Sequence, residues 1–279
     1  MRIPIVNRFT CSENQLSNII NTLKKKNMNA ILDYTNEDSK NHFINFSKMK
    51  KLINKYPNSL IAVKLSSLNI NNNIDLAEEY LDHLVYFSLK NNNKLLIDAE
   101  NYEIQDNINK ITNKFMETYN KEDVIIYKTY QMYRKDSFNL LKNDFNKNRN
   151  YFIGCKLVRG AYYNQDVKYN ILYKNIEETH KNYNYGIELF CNNYNYKDKL
   201  LCATHNQYSI NYAIQMIKNK NLDNIEFAQL MGMSDRLSKN IAENYTVYKY
   251  VPYGDFKDTL PYLIRRLYEN YPMIFNLFK

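Results

Sequence analysis

Eight short apolar runs, each rich in β-branched or aromatic residues, recur along the chain, and longer amphipathic stretches separate them. The runs are AILDY (30–34), SLIAVKL (59–65), KLLIDAE (94–100), DVIIYKTY (123–130), YFIGCKLV (151–158), LLCATH (200–205), IEFAQLM (225–231) and TVYKYV (246–251). Runs this short and continuous read as strands buried on both faces, the habit of parallel sheets. The stretches at 75–91, 135–148, 170–192, 207–220 and 256–270 read as helices. Ser12 with Gln15, Asp75 with Glu78, and Asp235 with Ser238 and Ile241 resemble helix starts. A leading helix and eight strand–helix units within 279 residues predict an α/β fold, a single (β/α)8 TIM-type barrel. Residues 1–29 form the helical lead-in and 30–279 the barrel. A doubly wound open sheet alternates in the same way, but no G-x-G-x-x-G turn follows the first strand.

Composition narrows the class. With 44% hydrophobic and 24% charged residues the chain is an ordinary globular one, not a disordered one. No stretch approaches the roughly 18 consecutive apolar residues of a spanning helix. The four cysteines, Cys11, Cys155, Cys191 and Cys202, form no C-x-x-C pair and are expected to be reduced thiols in an intracellular compartment. The N-terminus shows no apolar signal core, so no clear targeting peptide is expected. Abundant Asn and Lys are expected to fill surface positions. Lys and Arg number 38 against 29 Asp and Glu, a net charge of +9. Such a surface suits nucleic acid, acidic lipid or an anionic ligand, but no Lys/Arg-rich block stands out, so nucleic-acid binding is not expected.

In such a barrel, chemistry sits at the C-terminal ends of the strands. A polar residue falls near the end of every one: Asp33 and Glu37, Lys64 and Ser66, Asp98 and Glu100, Lys128 and Gln131, Lys156 and Arg159, Thr204 with His205 and Asn206, Gln229, then Lys249 and Tyr250. Together they predict a polar cavity. Lys64, inside the apolar AVKLSSL, is either an amine nucleophile or a fixed positive charge, with Asp98 as its natural partner. His205 is either a general base or a neutral hydrogen-bonding group. His42, His83 and His180 fall in outer helices, so no metal site is expected. Arg265 and Arg266 flank the apolar face of LPYLIRRLYEN and have the forked geometry to grip a carboxylate or phosphate. Gly160, straight after the fifth strand, permits close backbone approach to a ligand, with Tyr162 and Tyr163 as flat walls.

Taken together, LDYTNED (32–38), VKLSSL (63–68), IDAE (97–100), TYQMY (129–133), KLVRGAYY (156–163), ATHN (203–206), QLMGMSD (229–235), YKYVPYG (248–254) and PYLIRRLYEN (261–270) resemble the proline dehydrogenase family. The spelling is closest to its eukaryotic, mitochondrial members. The resemblance implies a distorted barrel holding FAD and oxidation of L-proline to Δ1-pyrroline-5-carboxylate, the first step of proline catabolism to glutamate. Hydride passes to flavin N5 and electrons go on to a quinone. It also implies a peripheral place on the matrix side of the inner mitochondrial membrane.

Residue by residue, the resemblance makes Lys64, Asp98, Arg265 and Arg266 catalytic. Lys64 and the two arginines hold the substrate carboxylate, Leu230, Tyr250 and Tyr262 pack on the proline ring, and Glu37 pairs with the second arginine. Asp98, Lys128, Lys156, Val158, Gly160, Ala161, Tyr162, Asn184, Thr204, His205, Asn206 and Glu269 match cofactor-binding positions. Lys128 stands where relatives carry a Gln or Asn that touches the flavin, Gln229-Leu230-Met231 is a variant of QLL, and KNYNYGIE (181–188) matches loosely. In the related hydroxyproline dehydrogenases a smaller polar residue replaces the Tyr at 250, so proline is the expected substrate. Two further readings remain: a Schiff-base lyase using Lys64, and a non-enzymatic basic barrel that binds anionic membrane or RNA.

Overall fold

Eight parallel strands close into a barrel in sequence order, β1 pairing with both β2 and β8. The computed structural model describes residues 8–35, 41–146, 148–255 and 259. The strands are β1 (Asn29–Tyr34), β2 (Leu60–Val63), β3 (Lys94–Ile97), β4 (Ile126–Gln131), β5 (Gly154–Val158), β6 (Lys199–Ala203), β7 (Ile225–Leu230) and β8 (Val247–Tyr253). Each falls on one of the eight apolar runs. Helix α1 (Glu13–Lys24) leads in. Then α2 (His42–Lys55), α3 (Ile74–Lys90), α4 (Tyr102–Tyr119), α5 (Ser137–Asn146), α6 (Ile176–Asn193), α7 (Gln207–Lys220) and α8 (Asp235–Ala242) follow β1 to β7 in turn. The helix expected at 256–270 lies, apart from Thr259, outside the described residues. Among those described, no helix is long and apolar enough to cross a membrane.

Side chains alternate across each strand, so every strand serves two cores. Leu32, Ile61, Val63, Leu95, Ile97, Ile126, Cys155, Leu157, Cys202, Phe227 and Val251 point outwards into one continuous layer under the helices. Ile31, Leu60, Ala62, Leu96, Tyr127, Leu201, Ala228 and Tyr250 point inwards and fill the barrel. The interior is therefore packed, and room for chemistry exists only above it, at the C-terminal mouth.

Asparagine does more than fill the surface. Asn27, Asn58, Asn69, Asn92, Asn170 and Asn221 adopt left-handed backbone with φ between 53° and 81°, a job more often given to glycine. Asn41, Asn73, Asn101, Asn175 and Asn206 cap helix N-termini with their side-chain oxygens. Asn73, not Asp75, caps α3. Ser12 and Gln15 do start α1, the Ser12 N–H donating to Gln15 Oε1 at 3.0 Å. This usage explains how a chain with only five glycines makes so many tight helix–strand turns.

Where glycine is kept, space is the reason. A Cβ on Gly154 would lie 2.5 Å from the Ile126 carbonyl oxygen and 2.6 Å from Val124 Cγ1. Gly154→Ala is therefore expected to lower unfolding stability by about 1–3 kcal/mol in urea titration. An unchanged midpoint would show that β4 and β5 have slack to separate.

Candidate active site

The inner face of the barrel changes character at its last layer. Above Ile31, Leu60, Leu96 and Leu201 come Asp33, Lys64, Asp98, Lys156 and Tyr250, all buried. Strand register assembles them. Val63 pairs with Ile97, so Lys64 and Asp98, one residue further along each chain, stand side by side. Ile31 pairs with Tyr250, bringing β8 against β1.

Four charges alternate across this layer. Lys64 Nζ lies 2.7 Å from Asp33 Oδ1 and 3.8 Å from Asp98 Oδ2. Lys156 Nζ lies 2.6 Å from Asp98 Oδ1 and 5.2 Å from the centre of the Tyr250 ring. The Tyr250 hydroxyl donates to Asp98 Oδ2 at 2.6 Å. Burial alone would raise the Asp98 pKa, but the Lys156 and Lys64 ammoniums, with hydrogen bonds from Lys156 and Tyr250, outweigh it and hold the carboxyl below its ordinary value. Asp98 therefore stays an anion that orients two cations and a phenol. The partner expected for Lys64 is present, but Asp33, expected at the end of the first strand without a role beside Lys64, is nearer. Its signal was the two-residue step from Ile31 along an inward face.

Beside this layer, Glu100 accepts the Ser66 N–H at 2.9 Å and bonds its hydroxyl. Burial still pushes the Glu100 pKa up. Gln131, two residues along the same face as Thr129, donates Nε2–H to the Glu100 carbonyl at 2.8 Å, and its Oε1 is buried with no hydrogen-bond partner. A buried amide oxygen without a donor at a barrel mouth is a position prepared for a ligand N–H. The sequence places Gln131 beside Lys128 among the polar strand-end residues of the cavity, while the family resemblance matches only Lys128 to a cofactor-binding position.

Three strand-end residues face away from the cavity. Lys128 points outwards under the helices, 2.6 Å from Asp144 Oδ2 and 2.8 Å from Asn113 Oδ1. It is a structural ion pair, and its expected place against a cofactor is corrected. Gln229 accepts from the Ser238 hydroxyl at 3.0 Å, and Lys249 donates to the Met233 carbonyl at 2.6 Å. The reason is the strand period: each stands one residue out of step with an inward position.

The remaining positions divide. Val158 ends β5 at the mouth and Ala161 and Tyr162 follow it, Tyr162 buried and the other two half-buried. Gly160 has φ +143°, and a Cβ there would run into the Tyr133 ring, so packing against Tyr133, just beyond β4, by itself requires glycine. Thr204 accepts the Asn206 N–H at 3.0 Å and is bonded by the Arg159 guanidinium. Asn206 Oδ1 accepts the Ser209 N–H at 2.9 Å. Asn184, on α6, has a buried Oδ1 without a hydrogen-bond partner. Leu230 ends β7, half-buried and facing inwards. Glu37, Tyr262, Arg265, Arg266 and Glu269 lie outside the described residues. Among those described, no group of His, Cys, Asp and Glu has the arrangement of a metal site.

His205 resolves towards the neutral alternative. The Leu230 N–H points at Nε2 across 3.4 Å, which leaves the proton on Nδ1 to be donated to the Ser234 hydroxyl at 3.2 Å. Burial, then the Lys249 and Arg159 charges, push its pKa down to about 3.

The chain is similar to known proteins in sequence and in fold. A family model described as Proline dehydrogenase matches residues 13–273. "Proline dehydrogenase 1, mitochondrial" of Dictyostelium discoideum is 37% identical over 195 residues, covering 63% of this chain and 34% of the relative. "Hydroxyproline dehydrogenase" of Xenopus laevis is 30% identical over 207 residues, covering 68% of this chain and 44% of the relative. The chain thus spans less than half the length of either. Among solved structures, proline utilization A from Bdellovibrio bacteriovorus, inactivated by N-propargylglycine, superposes with TM-score 0.84 at 18% identity, over 95% of this chain and 32% of that one. That likeness is one of fold.

The His205 environment has a measurable consequence. Between its ordinary pKa of 6.5 and about 3, the unfolded chain holds a proton that the folded chain lacks. Stability must fall as pH drops through that window, by up to about 1.4 kcal/mol per pH unit from this group. His205→Gln is expected to show a correspondingly shallower slope in denaturant titrations across the window; equal slopes would contradict the assignment.

Proposed function

The chain belongs to the proline dehydrogenase family, and from that premise we propose that it oxidises L-proline to Δ1-pyrroline-5-carboxylate with FAD. Electrons then pass to a quinone, in a mitochondrial setting like that named for its relatives. The observation that carries this reading is the buried Asp33–Lys64–Asp98–Lys156 ladder at the barrel mouth, with Tyr250 hydrogen-bonded to Asp98. An amino acid substrate brings a carboxylate that cannot be buried unpaired, and Lys64 supplies a fixed cation where it would enter.

The residues present fit a flavin. The donorless Gln131 Oε1 can accept from an N–H on the ring edge. Val158, Ala161 and Tyr162 offer backbone and an aromatic edge beside it, and Lys156 supplies a positive charge. When bound, FAD supplies the acceptor for the hydride leaving the proline carbon beside nitrogen. The protein's part is position and charge. Asp98 keeps Lys156 oriented and keeps the Tyr250 ring upright as a wall, while the apolar layer below excludes water from one side. Arg265, Arg266 and Glu37 complete the carboxylate grip and its closure in this proposal, and Tyr262 adds a second wall.

Lys64 suits a fixed charge better than a Schiff-base amine. An ammonium between two carboxylates is stabilised in its charged form, the wrong state for a nucleophile. The relative named for hydroxyproline keeps that substrate in view. Here the Tyr250 hydroxyl is committed to Asp98, leaving the ring rather than a polar group to face a substrate.

Anaerobic absorption spectra test the reading. Flavin bands that bleach with L-proline but not with hydroxyproline are expected. Bleaching by hydroxyproline alone would reassign the substrate, and a protein that cannot be reconstituted with FAD would remove the proposal. Lys64→Met and Arg266→Met are each expected to weaken proline binding at least about tenfold, roughly 1.4 kcal/mol, while retaining flavin absorption. Lys128→Met is expected to lower stability without changing proline affinity. Flavin loss in the Lys64 or Arg266 variant would contradict the role given to that residue.

A further inference from the structure

The connection from β5 to α6 runs from Arg159 to Asn175 at the mouth, and Ala161 and Tyr162 stand near its start. Backbone bonds fasten its two flanks to the β4–α5 turn. On the near side the Met132 N–H donates to the Val158 carbonyl at 2.8 Å and the Tyr133 N–H to that of Arg159 at 2.7 Å. On the far side the Lys135 N–H donates to the Ile171 carbonyl at 2.9 Å, and the Tyr173 N–H to that of Tyr133 at 2.9 Å. Between these flanks side chains take over. Lys168 and Tyr169 bond to Glu103 at the surface. Asp166, the last residue of a single helical turn (Tyr163–Asp166), is instead fully buried.

Its carboxylate is a junction of three elements. Oδ1 accepts the N–H of Tyr102, the first residue of α4, at 2.8 Å, and Oδ2 accepts the Tyr133 hydroxyl at 2.7 Å. Arg134 lends positive charge while pairing with Asp136 at 2.7 Å. The Tyr133 hydroxyl also takes a hydrogen bond from the Tyr162 backbone. Burial and the bond to Asp166 push the Tyr133 pKa up, so the phenol keeps its proton and remains the donor to Asp166. Its ring fills the space over Gly160, where a Cβ would lie 2.4 Å from Cδ1 and Cε1. A carboxylate this buried is costly unless its hydrogen bonds are made, which keeps Tyr133 in place. Orientation thus passes from Asp166 to Tyr133, and from Tyr133 to the turn Gly160–Tyr162.

We propose that Asp166 is a positioning residue for the flavin: acting through Tyr133, it holds Ala161 and Tyr162 in place as a wall of the site. The role rests on the reading of those two residues as flavin-lining. Asp166, with no exposed surface, acts without touching the cofactor.

Substitutions separate this relay from general stability. In Asp166→Asn one oxygen becomes an N–H donor, so either the Tyr133 hydroxyl or the Tyr102 N–H faces a donor and loses its bond. Tyr133→Phe removes the hydroxyl that links Asp166 to Tyr162. FAD affinity of the apoprotein, read by quenching of flavin fluorescence, is expected to fall about tenfold in each variant and no further in the double variant. Gly154→Ala loosens the floor end of β5 without touching the relay and is expected to keep wild-type FAD affinity. The segment is also read without cofactor. The chain has no tryptophan and Tyr163 is 54% exposed, so Tyr163→Trp gives a single reporter. In the apoprotein its anisotropy should drop and its quenching by acrylamide rise when Asp166→Asn or Tyr133→Phe is added, the second serving if the first fails to fold. Unchanged affinity in both variants, a double variant about a hundredfold weaker, an equal loss in Gly154→Ala, or a reporter that neither variant loosens would overturn the proposal. A wild-type chain that takes up no FAD would remove the proposed function and this role with it, whereas uptake that the variants leave intact would remove the role alone.

Discussion

The carboxylate of Asp98 is the interaction on which the mouth of this barrel depends. It lies over a dry, apolar layer, where an isolated charge is costly, so it persists only because Lys156, Lys64 and the Tyr250 hydroxyl converge on it. The compensation runs both ways. Lys64 and Lys156 are buried cations, and they in turn require Asp33 and Asp98. Remove one member and a neighbour is left with an uncompensated charge. The result is a rigid patch of alternating sign drawn from five strands, with little freedom to reorganise when an ionic substrate arrives. Such preorganisation is what a site needs when its own contribution is position and charge.

The two faces of each strand explain most of what the sequence left ambiguous. Lys156 and Lys128 look alike in the chain: each is a lysine among apolar residues near a strand end. One faces inwards onto Asp98 and the other outwards onto Asp144. The same change of face separates Tyr250 from Lys249, one residue apart, and Gln131 from Lys128, three residues apart. Polar residues at strand ends therefore belong to two populations, one lining a cavity and one joining sheet to helices. Asparagine shows a similar division of labour, since its short amide both caps helix starts and tolerates the left-handed backbone that ends them.

Both ends of the barrel follow from the same parallel topology. Every strand points its C-terminal end to the mouth and every helix its C-terminal end to the floor. Among the described residues, chemistry-bearing side chains gather at the first, and lysines such as Lys24, Lys55, Lys90 and Lys220, which complement the helix dipoles, gather at the second. A single chain direction thus separates a preorganised pocket from the lysines at the helix ends.

How far the sequence reached can be judged from particular residues. Its period and order determined the architecture, because eight short runs buried on both faces have few ways to close, and their positions matched the strands to within a few residues. The motif spellings marked Lys64, Asp98, Lys156 and Tyr250 as members of one site, and the structure brings these four together. It did not reveal that Asp33 is the nearer partner of Lys64, that Gln131 rather than Lys128 faces the cavity, or that Gly160 makes room for Tyr133. Those outcomes rest on register, on which way a side chain points and on what stands across the barrel from it. These are relations between residues far apart in the chain, and local pattern carries no record of them until the sheet has closed.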